Sequence, residues 1–252
     1  MDILIPSELE PLCQGLLRGL ERILGETLSG VYLYGAIAFP EGGATGDIDF
    51  HVLLTAPPGG TQREALAGLH ASLARDYPPM GAELDGYYIL LEDALHSARP
   101  QHQLLPGVYD NSWALHRAHL RAGRCIVLHG PEPGQFLPAP SWPELESALQ
   151  WELDYVAAHL ADAPAYCVLN LCRLIYTFQT HDVVMSKRAS AAWGVSRFPD
   201  WRLLIEAALL SYDQRPTSKE LLPSRAAAFF DFACEQIRNA VGGEALAGVR
   251  PG

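Results

Sequence analysis

The sequence predicts an α/β (α+β) chain: a domain with a mixed sheet, followed by an all-helical bundle. Three observations predict it. Runs with strand character, at 31–34, 47–54, 84–91 and 124–128, all lie in the first part of the chain and alternate with helical periodicity. Residues 130–143, GPEPGQFLPAPSWP, then bring five prolines and two glycines, a composition that no regular element tolerates. Beyond them 143–160, 164–180, 199–211 and 223–241 read as helices, with no convincing strand between them. The expected domains are therefore 1–135 and 141–252.

Each element has its local reason. Ser7 and Glu10 have the spacing of a capping box, and Leu9, Leu12, Leu16, Leu20 and Ile23 follow at helical intervals, so 7–24 reads as an amphipathic helix. Pro11 falls in its first turn, where a missing N–H costs little. Val31 to Tyr34 is β-prone and ends at Gly35, after which a short helical segment leads into the glycine-rich loop 40–46. Asp47 to Leu54 alternates and then turns apolar, as a strand entering a core does. A helix at 61–76, a turn at Pro78-Pro79 and a strand at 84–91 follow. Glu92 and Asp93 suit the start of a helix, where the macrodipole favours acids. A helix at 111–121 and a short strand at 124–128 complete the first domain.

Composition narrows the function. With 49% hydrophobic residues in 252, the chain has enough apolar side chains for an ordinary core, and no run approaches the ~20 apolar residues of a membrane span. The N-terminus lacks the basic segment and apolar run of a signal peptide, so a cytoplasmic protein is expected. A net charge of −11 argues against a nucleic-acid partner, whose phosphates call for a basic surface, and suits a cationic small molecule. Cys13, Cys125, Cys167, Cys172 and Cys234 form no CxxC pair and read as buried thiols in a reducing compartment.

The informative stretch runs from Tyr34 to Phe50: strand, glycine turn, short helical segment, loop, then Asp47-x-Asp49 opening a strand. Carboxylates two apart on a strand share a face, and a divalent cation offsets their repulsion. Hard oxygen ligands suit Mg²⁺, which takes one or two carboxylates together with substrate phosphates. The turn at Gly35 lets backbone N–H groups approach those phosphates.

This pattern resembles the polymerase-β-like nucleotidyltransferase superfamily, whose signature is Gly-Ser, a linker, then Asp-x-Asp. The second half is similar to the aminoglycoside (3'')(9) adenylyltransferase branch, through Leu169-Asn170-Leu171-Cys172-Arg173, the Ser186-Lys187 step and Trp193. The resemblance spans roughly 28–210. It implies a two-domain protein with its site in the cleft between the domains, transferring AMP from ATP to a hydroxyl of an aminoglycoside such as streptomycin or spectinomycin. It also implies two Mg²⁺ ions on Asp47 and Asp49, and a third carboxylate as general base. Asp85 is preferred for that role over Glu83, which lies two residues earlier and is kept as a substrate contact. Gly35, Ala36, Gly46, Arg173 and Lys187 would bind the nucleotide, and Trp113 and Asp162 the acceptor, by stacking and by pairing with an amine. The chain departs from the pattern at Ala36 and Gly46, where the family carries serines. A nucleotidyltransferase with another acceptor, and a weakened homologue that only binds nucleotide or drug, are the alternative readings. A monomer is expected.

One other constellation stands out. His116-x-x-His119 puts two imidazoles on one helix face, but no third ligand lies at helical distance, so a solvated face is the plainer reading than zinc. Neither a P-loop nor a Rossmann glycine fingerprint occurs.

Overall fold

A computed structural model describes residues 4–40, 47–218 and 220–242. The chain divides into two compact units, Met1–Leu145 and Glu146–Gly252. The first is built on a four-stranded mixed sheet of β1 (Leu28–Tyr34), β2 (Ile48–Leu54), β3 (Leu84–Leu90) and β4 (Ile126–His129), ordered β3-β2-β1-β4. β1 is antiparallel to both β2 and β4, whereas β2 and β3 are parallel. That parallel pair needs a crossover, which α2 (Gly60–Asp76) supplies.

Both faces of the sheet are covered, and by different chemistry. Ile48, Phe50, Val52 and Leu54 of β2 point into a cluster with Val31, Leu33 and Tyr88, closed by Leu12, Leu16 and Leu20 of α1 (Glu10–Leu24) and Leu66, Leu69 and Leu73 of α2. Gly19 allows the two helices to meet, since a Cβ there would lie 2.3 Å from a methyl of Leu69. On the opposite face Tyr32, Tyr34, Leu53 and Ile89 pack with Trp113 and Leu120 of α4 (Trp113–Arg121). Between β3 and α4 the chain forms α3 (Leu91–His96), with Glu92 and Asp93 in its first turn, and then a long loop.

The capping box expected at Ser7 and Glu10 does not form: α1 starts at Glu10 without a side-chain cap, and Ser7 Oγ donates to Glu8 instead. Pro11 stands at the second helical position, so one of the orphan donors is absent from the start. The proline-rich stretch is also less irregular than its composition suggests. It contains α5, a single turn at Pro133–Phe136, and the start of α6 (Trp142–His159), whose helix runs through the division between the units.

Among its described residues the second unit contains helices and no strand. α7 (Pro164–Thr180) buries Val168, Leu169, Leu171, Cys172, Leu174, Ile175 and Phe178 together with the polar Asn170 and Thr177, burial on most sides that marks a central helix. Around it lie α8 (Lys187–Arg197), α9 (Arg202–Tyr212) and α10 (Leu221–Val241). Helix α8 carries no strong sequence signal and was not among the expected elements. Ser186 caps it by accepting from the Ala189 amide at 3.0 Å, and Gly194 lets it lie close to Cys172 and Ile205. Among the described residues no helix is long and apolar enough to cross a membrane.

Candidate active site

The face of the sheet beneath α4 changes character along the strands. Leu53 and Ile89 are aliphatic, His51 and Tyr87 come next, and Asp49 and Asp85 lie at the end where β2 and β3 begin. Parallel pairing sets Asp49 directly beside Asp85, and antiparallel pairing sets Tyr34 on its other side. Asp47 precedes β2 on the same face. The ligand oxygens of Asp47, Asp49 and Asp85 all lie within 4.8 Å of one another. Partial desolvation, then the charge of Asp47, push the Asp85 carboxyl above its ordinary range, with His102 and His116 acting in the opposite direction. Three converging carboxylates with this mutual repulsion fit a divalent cation with oxygen preference.

Gly35 makes room for that arrangement. It adopts φ +72°, and a Cβ on it would lie 1.8 Å from Asp49 Oδ2 and 2.8 Å from Asp49 Cγ. Ala36 follows in the 3₁₀ turn Gly35–Ala38, part-exposed, with no hydroxyl to offer a phosphate. Gly46 lies outside the described residues. Glu83 is exposed just before β3, where its carbonyl accepts from the Ile48 amide at 2.8 Å, and it is not part of the carboxylate cluster.

Trp113 is a correction. It is fully enclosed, its indole N–H donates to the Ala94 carbonyl at 3.2 Å, and its ring packs 5.1 Å from that of His51. A ring in that position fills the core and has no face left to stack on an acceptor. In the second unit, Asp162 is exposed in the turn between α6 and α7. Arg173 on α7 lies 3.6 Å from Glu152 of α6, and the Lys187 amino group sits over the Tyr166 ring at 4.4 Å.

The two histidines of α4 are not a solvated pair either. His119 is buried with its ring at a steep angle to that of Phe39, whereas the His116 ring packs 4.7 Å from that of Tyr34. His116 Nδ1 lies 2.9 Å from Asp110 Oδ2, and His51 Nε2 reaches the same oxygen at the same distance. Neither Asp110 nor His51 was picked out from the sequence. His51 had a visible signal, since it stands two residues after Asp49 and so shares its face. Asp110 had none, because it reaches the site from the loop after α3. That loop is tied back at His102, whose Nδ1 accepts from the Leu104 and Leu105 amides at 2.9 and 3.2 Å. Its Nε2 must then carry the proton it donates to the Gly86 carbonyl at 3.1 Å. Gly86 adjoins Asp85, so one histidine links the loop to the strand that carries the carboxylate.

The comparisons with known proteins concern the family and the fold. Residues 139–236 match the family described as "Aminoglycoside adenylyltransferase, C-terminal domain". Among solved structures, spectinomycin adenyltransferase AAD(9) from Enterococcus faecialis, crystallised with ATP and spectinomycin, superposes with a TM-score of 0.72 at 16% identity. The match covers 90% of this chain and 98% of that one. No curated protein matches the sequence. Residues 139–236 thus resemble that family in sequence, and 90% of the chain shares the fold of the adenyltransferase structure.

Proposed function

We propose that the protein is a nucleotidyltransferase that moves AMP from ATP to a hydroxyl of a small cationic acceptor, an aminoglycoside of the streptomycin or spectinomycin kind. The observation that carries this reading is the convergence of Asp47, Asp49 and Asp85 at the start of two parallel strands, with Gly35 opening the space in front of them. The fold shared with an adenyltransferase crystallised with ATP and spectinomycin supports it, as does the net charge of −11 for a polycationic acceptor.

In this reading Asp47 and Asp49 would hold Mg²⁺, which would supply charge stabilisation at the α-phosphate. Asp85 takes the proton of the acceptor hydroxyl, and its raised affinity for protons suits that role. The hydroxyl oxygen bonds to the α-phosphorus, the bond from that phosphorus to the bridging oxygen breaks, and pyrophosphate leaves. Backbone N–H groups at Gly35 and Ala36 face the phosphates, and Arg173 and Lys187 are the cations assigned to the triphosphate. Glu83 and Asp162, both exposed carboxylates, are assigned to acceptor amines. The chain acts in the cytoplasm as a monomer, with no nucleic-acid partner.

Ala36 favours one second reading, a homologue that binds nucleotide or drug with little turnover, because the hydroxyl of the family's serine is missing there. Pyrophosphate release from ATP and Mg²⁺ across a panel of aminoglycosides separates the two, with Asp49→Ala as control. Release that depends on one drug and vanishes in the variant supports transfer. ATP binding without release with any drug refutes it.

A further inference from the structure

Behind the carboxylate cluster lies a second polar group that the proposed chemistry leaves unused. Asp110 and His51 are buried almost completely, at 1% and 0% exposure, while the His116 side chain keeps 22%. Asp110 Oδ2 receives both imidazoles at 2.9 Å, and its Oδ1 accepts from the Ser112 amide at 3.1 Å. Burial alone would push the Asp110 carboxyl up, but His116 and then His51 outweigh it and hold Asp110 ionised far below the ordinary carboxylate range.

An ionised carboxylate only accepts, so the imidazole nitrogens facing it carry protons: Nε2–H of His51 and Nδ1–H of His116. The ring of His116 is thereby fixed in orientation. Nδ1 faces inward to Asp110, and Nε2 lies across the ring on the other edge. The same ring packs 4.7 Å from that of Tyr34, which pairs in register with Asp49, and 5.3 Å from that of His51. A buried anion thus aims a half-buried imidazole over the face of the sheet that carries the carboxylates.

We propose that His116 is an acceptor-binding residue, whose Nε2–H donates to the oxygen of the acceptor's reacting hydroxyl while that hydroxyl's proton goes to Asp85, and that Asp110 is the residue that positions it. This rests on the transfer reading above. His51 secures Asp110 from within the core, so the polar chain runs from His51 through Asp110 to His116 and ends at the site.

His116→Asn is the discriminating variant. Its amide N–H replaces Nδ1–H and keeps the bond to Asp110, but nothing occupies the place of Nε2. The expected result is an unchanged Tm, an unchanged KM for ATP, and streptomycin or spectinomycin binding weakened about tenfold, both by KM and by calorimetry with a non-hydrolysable ATP analogue. Asp110→Asn raises the acceptor KM in the wild-type background and no further in His116→Asn, because it acts only through that ring. Should Asp110→Asn not fold, the His116→Asn readings decide alone. Drug binding that His116→Asn leaves within twofold, or an equal loss for ATP and drug, overturns this proposal and leaves the transfer reading standing. Wild-type protein that binds neither drug removes both.

Discussion

Replacing Gly35 by alanine separates the cost of a backbone conformation from the cost of moving a ligand. At φ +72° an L-residue is strained by roughly 1–2 kcal/mol. With Tm falling about 2–4 °C per kcal/mol in chains of this size, the variant should melt roughly 2–8 °C lower. Against a typical stability of about 5–15 kcal/mol it remains folded. The site fares worse. The new Cβ would meet Asp49 Oδ2 at 1.8 Å, whereas ordinary contact begins at 3.4 Å, so the oxygen must retreat by about 1.6 Å. Rotating the carboxylate about its own bond does not suffice, because Asp49 Cγ stays put at 2.8 Å. The side chain as a whole has to swing off the position it shares with Asp47 and Asp85. Displacements of about 1 Å in catalytic groups cost on the order of 100-fold, so pyrophosphate release should fall at least that far.

Gly25→Ala is the matched control. Gly25 has φ +53° and ψ −126°, which disfavour any side chain, with nothing within 4 Å of its Cβ position, so alanine there strains the backbone without touching the site. The expected pair of results is a lower Tm in both variants and a loss of activity in Gly35→Ala alone. Equal activity losses in the two, or Gly35→Ala retaining a third of wild-type release, would refute the reasoning.

Three further outcomes follow from the same structure. Trp113→Ala should destabilise the first unit by about 3–5 kcal/mol in urea unfolding, whereas Trp113→Phe should leave the acceptor KM unchanged because the ring never meets the acceptor. The His102 imidazole is held below its ordinary 6.5 by burial, so the unfolded chain takes up the proton first as pH falls. Stability then declines with pH below about 6.5, until the folded-state value is reached, and deuterium exchange at the Leu104 and Leu105 amides should rise over that window; His102→Asn, whose oxygen still caps the Leu104 amide, should flatten it. Burial pushes the thiols of Cys13, Cys125, Cys167 and Cys234 to about 11 and that of Cys172 to about 12, so all five should resist a thiol reagent at pH 8 until the chain is denatured.

The part of the candidate site carried by regular strands was legible in the sequence as a cluster of carboxylates, and the part carried by a loop was not. Asp47 and Asp49 announce themselves because spacing of two on a strand guarantees a shared face, and Asp85 because its strand is unmistakable. No local rule places Asp110 beside them. Its position depends on His102 binding the Gly86 carbonyl, on the Asp110 amide donating to the Pro100 carbonyl at 2.9 Å, and on two imidazoles from different elements. Trp113 shows the converse limit: at the start of a helix, a ring looks the same in sequence whether it faces a cleft or a core. Helix α8 escaped notice because Ser186 has no acidic residue three positions on, and Gly194 weakens the pattern, although packing against Cys172 is what Gly194 serves.

One strand explains why core and site come as a unit. Ile48, Phe50, Val52 and Leu54 of β2 bury one face against α1 and α2, while Asp49, His51 and Leu53 occupy the other. Shifting the register by a single residue would drive Asp49 and His51 into the apolar layer between sheet and helices, at a cost no neighbouring group offsets. The apolar face therefore specifies the register, and the register fixes Asp49 beside Asp85 and opposite Tyr34. Carboxylates that repel one another are held together by packing on the far side of the sheet. The site is preorganised in this sense: its geometry is stabilised by residues that take no part in its chemistry.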